Sequence, residues 1–294
     1  MTNTLQYLVD GLSIGSLYAL YALSLALTFS VMRLINFATG ELIMITGYVL
    51  VVMSGLPLPV LLIVALTVTA VIALIIERLA FRPVRGADPL TLLVTSFAVS
   101  YLLQSVATMT FTSIPRSTEL MSGLTASIKV GTLVFSRLNL VILGTAVVLL
   151  LCVVTVLKQT TLGVQMRAAA EDFGMTRLLG VSANKVIAVA FLGSGLLAGA
   201  AGILFVAQTG TVTPTLGVTP LLYAFIASIV GGLGSMLGAV LGGFGLGLIQ
   251  VLGQVALPDN LSPYRDALVF LVVLGVLILK PDGLIVPRSQ TKRV

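Results

Sequence analysis

Residues 35–50 read INFATGELIMITGYVL, and the polar cluster inside this stretch decides how the chain is read. An apolar run from Leu12 to Phe29 leads into it, and another from Ile43 to Met53 leads out. Between them stand Arg33, Asn36, Thr39, Gly40 and Glu41. Non-helical backbone at membrane depth is tolerated only against protein or a water-filled cavity. Asn36 and Thr39 can satisfy loose backbone groups or cap a helix starting near Glu41, and Gly40 frees the chain locally. Glu41 in a first helical turn also suits the helix dipole. Two readings follow: an ordinary cytoplasmic turn, or the inner end of a solute path.

The rest of the chain supplies the membrane. Of 294 residues, 58% are hydrophobic and 9% charged, far below the quarter or so of a soluble domain. Mean hydropathy is +1.16. Apolar windows of spanning length recur at 8–32, 41–55, 59–80, 90–113, 139–157, 186–207, 219–233, 236–256 and 264–280. The expected fold is all-α and polytopic, a single transmembrane domain over 1–294 with eight or nine transmembrane helices, some broken or re-entrant. The alternation of a membrane β-barrel is absent. A candidate parallel repeat pairs FATGELIMITG (37–47) with GGLGSMLGAVLGG (231–243), each opening a glycine-spaced helix.

Net charge is +6. Basic residues gather on cytoplasmic loops, and placing 78–85, 158–185, the tail from Lys280 on and Arg33 inside accounts for twelve of the 16. The C-terminus is then cytoplasmic, and 114–138 forms an external loop that can dock an outside partner. No basic run interleaved with aromatics suggests nucleic acid.

Chemistry is scarce. There is no histidine, and Cys152 is the sole cysteine, so histidine-dependent triads, histidine metal sites and an internal disulfide are excluded. No phosphate-binding loop is present, so ATP hydrolysis is not expected of this chain. The acids lie almost wholly at helix and loop ends, which argues against an ion-coupled carrier. In 228–250 eight glycines crowd one stretch; Gly242 to Gly247 suit close helix packing, and Gly234 and Ser235 suit a cavity-facing break. Residues 158–185 are long, mixed in character and helix-forming, with Met166, Ala169, Ala170, Phe173 and Leu178 on an approximate apolar side and Arg167, Glu171, Asp172 and Arg177 as charges. Such a helix can dock into a soluble partner.

The stretches INFATGELIMITGY, ERLAFRPVRGADPL, LGVQMRAAAEDFGMTRLLGV, LLAGAAGILF, PTLG (214–217), AFIASIVGGLGSMLGAVLGG and KPDGLI, in this order and spacing, resemble the shorter permease type of bacterial branched-chain amino-acid ABC importers. Such proteins tend to carry Thr-x-Gly after the arginine loop, where this chain has Thr95-Ser96-Phe97. The resemblance implies a permease subunit in the bacterial inner membrane that works by alternating access. It would pair with a second related permease or with itself, two cytoplasmic ATPases that bind the ATP, and an external solute-binding protein. It binds no cofactor or metal of its own. Segment 158–185 becomes the coupling element, with Arg167, Glu171, Asp172, Arg177 and Gly180 its candidate residues. Asn36, Thr39, Gly40, Glu41, Thr95, Ser96, Gly234 and Ser235 become the candidate solute path. Urea or short amides remain alternative solutes; an autonomous channel or ion-coupled carrier, or a membrane enzyme, are the competing classes.

Overall fold

The computed structural model describes residues 2–118, 127–130, 133–171, 173–256, 264–280 and 283–285. The chain is an all-α polytopic membrane protein. Its helices are α1 (Thr2–Met32), α2 (Ala38–Val52), α3 (Leu58–Ile76), α4 (Pro89–Phe111), α5 (Arg137–Gln159), α6 (Thr161–Glu171), α7 (Phe173–Leu178), α8 (Ala183–Thr209), α9 (Val218–Gly231), α10 (Met236–Ala256) and α11 (Arg265–Leu279). Every apolar window read from the sequence holds one of these helices. Among the described residues, six helices are long and apolar enough to cross a membrane, and α2, α9 and α11 are shorter apolar helices. The two remaining helices, α6 and α7, fill the expected coupling segment.

Contacts divide the chain into two compact units, with boundaries falling inside α1, α5 and α9. The first holds residues 1–23, 121–150 and 223–294; the second holds 24–120 and 151–222.

In the second unit, α2, α3 and α8 pack on one another. Lipid tails are as apolar as leucine, so helices in a membrane associate through close packing and hydrogen bonds. Both devices are present. A Cβ on Gly195 of α8 would lie 2.6 Å from the Ala73 Cβ of α3, and one on Gly202 would lie 3.0 Å from the Thr46 Cβ of α2. Thr46 and Thr69 join α2 to α3 through a buried hydroxyl pair 2.7 Å apart. Ser24 Oγ lies 3.1 Å from the Ser194 carbonyl and ties α1 to α8.

Helix α3 runs into a π-helical turn, Glu77–Phe81, closed by Arg82 N–H donating to the Glu77 carbonyl. The turn aims the buried Glu77 carboxylate at Arg85, and the two form an ion pair. Arg85 also donates to Asn184 Oδ1 at 2.6 Å, in the first turn of α8. Burial holds this guanidinium below its ordinary value, with the Glu77 charge acting against the shift.

In the first unit the glycine-rich stretch acts largely as expected. Gly243 and Gly247 of α10 meet the backbone of α1 at Ala19 and Gly15, and Gly242 meets that of α9 at Ala227. Gly245 faces open space. Between α9 and α10 the helix breaks at 232–235, where Gly232 and Gly234 are left-handed. Residues Gly283–Ile285 close over this break, Leu284 N–H donating to Val230 and Ile285 N–H to Gly231.

The 114–138 loop is partly strand. Residues 116–117 (β1) pair antiparallel with 211–212 (β4), and 127–130 (β2) pair with 133–136 (β3). Its residues 119–126 and 131–132 lie outside the described residues.

Gly195→Val tests the α3–α8 contact. Overpacking of this kind costs about 1–3 kcal/mol. A thermal melt of the purified protein in detergent is expected to show a lower midpoint; an unchanged midpoint means the helices part without cost.

Candidate functional site

The quoted junction lies in the second unit. Helix α1 ends at Met32 and α2 begins at Ala38. Asn36, 2% exposed, accepts the Ala38 N–H on its Oδ1 at 3.1 Å, while its carbonyl accepts the Thr39 N–H at 3.1 Å. One amide side chain therefore supports the first turn of α2. The helix starts three residues earlier than the sequence reading placed it, because this support lies at Asn36. Gly40 is consequently helical and is not a break. Its lack of a side chain serves close approach: a Cβ there would sit 2.5 Å from the Gly217 carbonyl oxygen. Two of the stretches singled out in the sequence, 35–48 and 214–217, meet at this glycine pair.

Glu41 is fully buried in the first turn of α2. Its Oε1 accepts from Ser100 Oγ at 2.9 Å and from Gln104 Nε2 at 2.7 Å, both on α4. Among the described residues Oε2 has no hydrogen-bond partner, and the buried Thr39 Oγ1 has none either. A carboxyl with one oxygen doubly bonded and the other bare is half satisfied, and buried polar groups are costly in that state. Aromatic stacks flank the clasp. Phe37 lies on Phe97 with centroids 4.0 Å apart, and Tyr48 on Phe111 at 4.2 Å. Phe37, Glu41 and Tyr48 stand at i, i+4 and i+11, spacings that share a helical face, so one face of α2 meets α4 through ring, carboxyl and ring.

Of the expected path residues, Asn36, Thr39, Gly40, Glu41 and Ser96 come together here. Ser96 is buried, with its Oγ 2.8 Å from the Leu93 carbonyl and 3.4 Å from the Ile35 carbonyl. Thr95 turns away and borders an open groove of about 650 Å³ with Leu90, Thr91, Val94, Ala98 and Leu102. Gly234 and Ser235 belong to the first unit, where Ser235 Oγ accepts the Gly238 N–H at 3.0 Å and caps α10. Ser100 and Gln104 escaped the sequence reading. Their signal is the stripe Ser96, Ser100, Gln104 at spacing four along α4.

In the expected coupling segment, Arg167 is exposed on α6 while Met166 and Ala169 are buried. Leu178, expected on the apolar side, is 82% exposed, as is Leu179, with Met175 at 61%. Gly180 is left-handed and follows α7; Val181 N–H reaches back to the Thr176 carbonyl, which closes the helix end. Glu171 and Arg177 lie in α6 and α7, and Asp172 lies outside the described residues. Near the start of α4, Thr91 Oγ1 donates to Asp88 at 2.6 Å and holds that carboxyl below its ordinary value.

Many apolar helices, glycine-mediated packing and a buried polar junction define a polytopic membrane protein. The chain belongs to the family described as branched-chain amino acid transport system / permease component, whose family model matches residues 7–279. A Pseudomonas aeruginosa protein named high-affinity branched-chain amino acid transport system permease protein BraD is 32% identical, covering 99% of this chain and 98% of its own. The Escherichia coli K12 protein of the same description, LivH, is 31% identical with 99% and 97% covered. A Klebsiella pneumoniae protein named autoinducer 2 import system permease protein LsrC is 38% identical over 134 residues, 43% of this chain and 38% of its own.

Gln104→Leu removes one donor from Glu41. A hydrogen bond to a carboxyl of this kind contributes about 1–3 kcal/mol, so the detergent melting midpoint is expected to fall. Wild-type stability would show that α4 is held by the aromatic stacks alone.

Proposed function

We propose that this chain is the membrane subunit of an ATP-driven importer for branched-chain, apolar amino acids. The observation that carries this is end-to-end similarity to two permeases named for high-affinity transport of those solutes. The complete transporter holds a second permease, related or identical, two ATPases on the cytoplasmic side and an external binding protein that delivers the solute. The membrane is the bacterial inner membrane, with the C-terminus inside. ATP binds and is hydrolysed on the partner subunits.

The solute path passes the α1–α2 junction. A leucine-like zwitterion needs an oily route with a few polar groups. Asn36, Thr39, Gly40, Glu41 and Ser96 supply them in the second unit, and Thr95, Gly234 and Ser235 are further candidates elsewhere in the chain. The bare Oε2 of Glu41 supports this reading, since a carboxyl oxygen without a partner suits an ammonium group. Alternating access brings this oxygen to the path in one conformation and buries it in the other.

The ATPases take hold of residues 158–185. Met175, Leu178 and Leu179 form an exposed apolar tip on a charged segment, the pattern of a helix that seats in a groove. Arg167, Glu171, Asp172 and Arg177 are the candidate charged contacts of this segment, and Gly180 sets the exit of α7.

The test is reconstitution of the assembled complex in lipid vesicles with radiolabelled leucine, isoleucine and valine. Accumulation that needs ATP, the ATPases and the binding protein is expected. Uptake by this chain alone, without ATP, would instead make it an autonomous channel or ion-coupled carrier. Competition by urea or short amides, stronger than by leucine, would reassign the solute. Glu41→Gln is expected to lower leucine uptake about tenfold, the equivalent of roughly 1.4 kcal/mol; unimpaired uptake would remove Glu41 from the path. Leu178→Asp is expected to abolish co-purification with the ATPases while membrane insertion persists.

A further inference from the structure

Arg33 stands just past the end of α1 with φ +54, in left-handed backbone. A non-glycine residue there sits in strained backbone. Glycine would avoid it, yet the chain keeps a long cationic side chain at this position. That side chain is not idle. Its guanidinium donates to the carbonyl of Ala170, in the last turn of α6. The last carbonyls of a helix lack partners within it, and the helix dipole makes that end attractive to a cation. One arginine therefore bridges 137 residues of chain, from the turn that opens α2 to the closing turn of the coupling helix.

A second arginine grips the far end of the same segment. Arg85 bonds Asn184, in the first turn of α8, and is itself anchored on Glu77. The two contacts differ in what lies behind them. Arg85 rests on the π-helical turn that ends α3. Arg33 leads through Leu34, which is buried, to Asn36, whose side chain and carbonyl start α2, and so to Glu41 one turn on.

We infer that Arg33 is the joint that transmits motion of the coupling helix to the α1–α2 junction, with Arg85 as the fixed end about which the segment pivots. This rests on the importer reading proposed above. A push on α6 displaces the Ala170 carbonyl. The planar fork of Arg33 follows it, and the left-handed link at residue 33 converts that pull into rotation of the turn that carries Asn36. Without the fork, α6 moves and α2 does not.

The discriminating variant is Arg33→Gly, because glycine relieves the backbone strain while deleting the contact; loss of function cannot then be blamed on a strained fold. In the reconstituted complex we expect wild-type co-purification with the ATPases and wild-type basal ATP hydrolysis. Leucine imported per ATP hydrolysed is expected to fall at least fivefold. Arg33→Lys, which keeps the charge but not the fork, is expected to fall between the two. Hydrogen exchange gives a readout without transport: ATP addition is expected to change protection at residues 38–42 in the wild type but not in Arg33→Gly. A wild-type import ratio in Arg33→Gly would overturn the inference. Loss of ATPase binding in that variant would also overturn it, by moving Arg33 from transmission to docking. If the wild-type complex imports no leucine-type solute, the importer reading fails, and the exchange comparison still decides whether Arg33 links the two segments.

Discussion

A peptide group that leaves a helix within a membrane protein must find its partner inside the protein, because lipid offers none. The turn between α1 and α2 meets that requirement with Asn36, which serves Ala38 through its side chain and Thr39 through its carbonyl. Every other feature of the junction depends on this. Because α2 starts at Ala38, Gly40 falls on the side that touches Gly217, and Glu41 falls on the side that touches α4. A start one residue later would leave both polar and small residues facing the wrong neighbours, since each step along a helix turns the face by about 100°.

The contact between α2 and α4 shows how a helix is held where apolar burial between helices contributes little. Helix α4 is sparsely buried along its length. Its grip on α2 is concentrated in the carboxyl clasp and the two ring stacks. Such a contact differs from the glycine-lined packing of α3 on α8, which spreads over several turns with backbones close together. Packing of the second kind resists sliding, because each small residue admits one neighbour. A clasp of three polar side chains can open as a unit and close again.

Much of this architecture was legible in the sequence. The apolar windows located every long helix, because their length and composition leave no other structure in a membrane. The break at 232–235 was legible as well, since Gly232 and Gly234 adopt left-handed backbone that other residues avoid. The exact start of α2 was not. Glycine at position 40 reads equally as a helix breaker or as a site of close approach, and only the position of Gly217 separates the two. Ser100 and Gln104 were overlooked for a related reason. Serine and glutamine inside an apolar helix commonly bond their own preceding turn or face a neighbour, and a single helix does not say which. Leu178 was assigned to an apolar face from spacing alone, but α7 spans only Phe173–Leu178, too short for helical spacing to determine what is buried.

Phe97 joins these strands of the argument. At position 97 this chain presents a ring, and that ring is stacked on Phe37, the residue just before α2 begins. A glycine at 97 would have no side chain to place there and would leave the Phe37 side of the Glu41 clasp uncovered. The aromatic pair thus substitutes contact area for close approach at one end of the α2–α4 interface, much as Tyr48 and Phe111 do at the other. The carboxyl between them is shielded along the helix in both directions, so access to its free oxygen has to come from the side, by parting α4 from α2. On the path proposed above, the separation of these two helices is then the step on which entry to the junction depends.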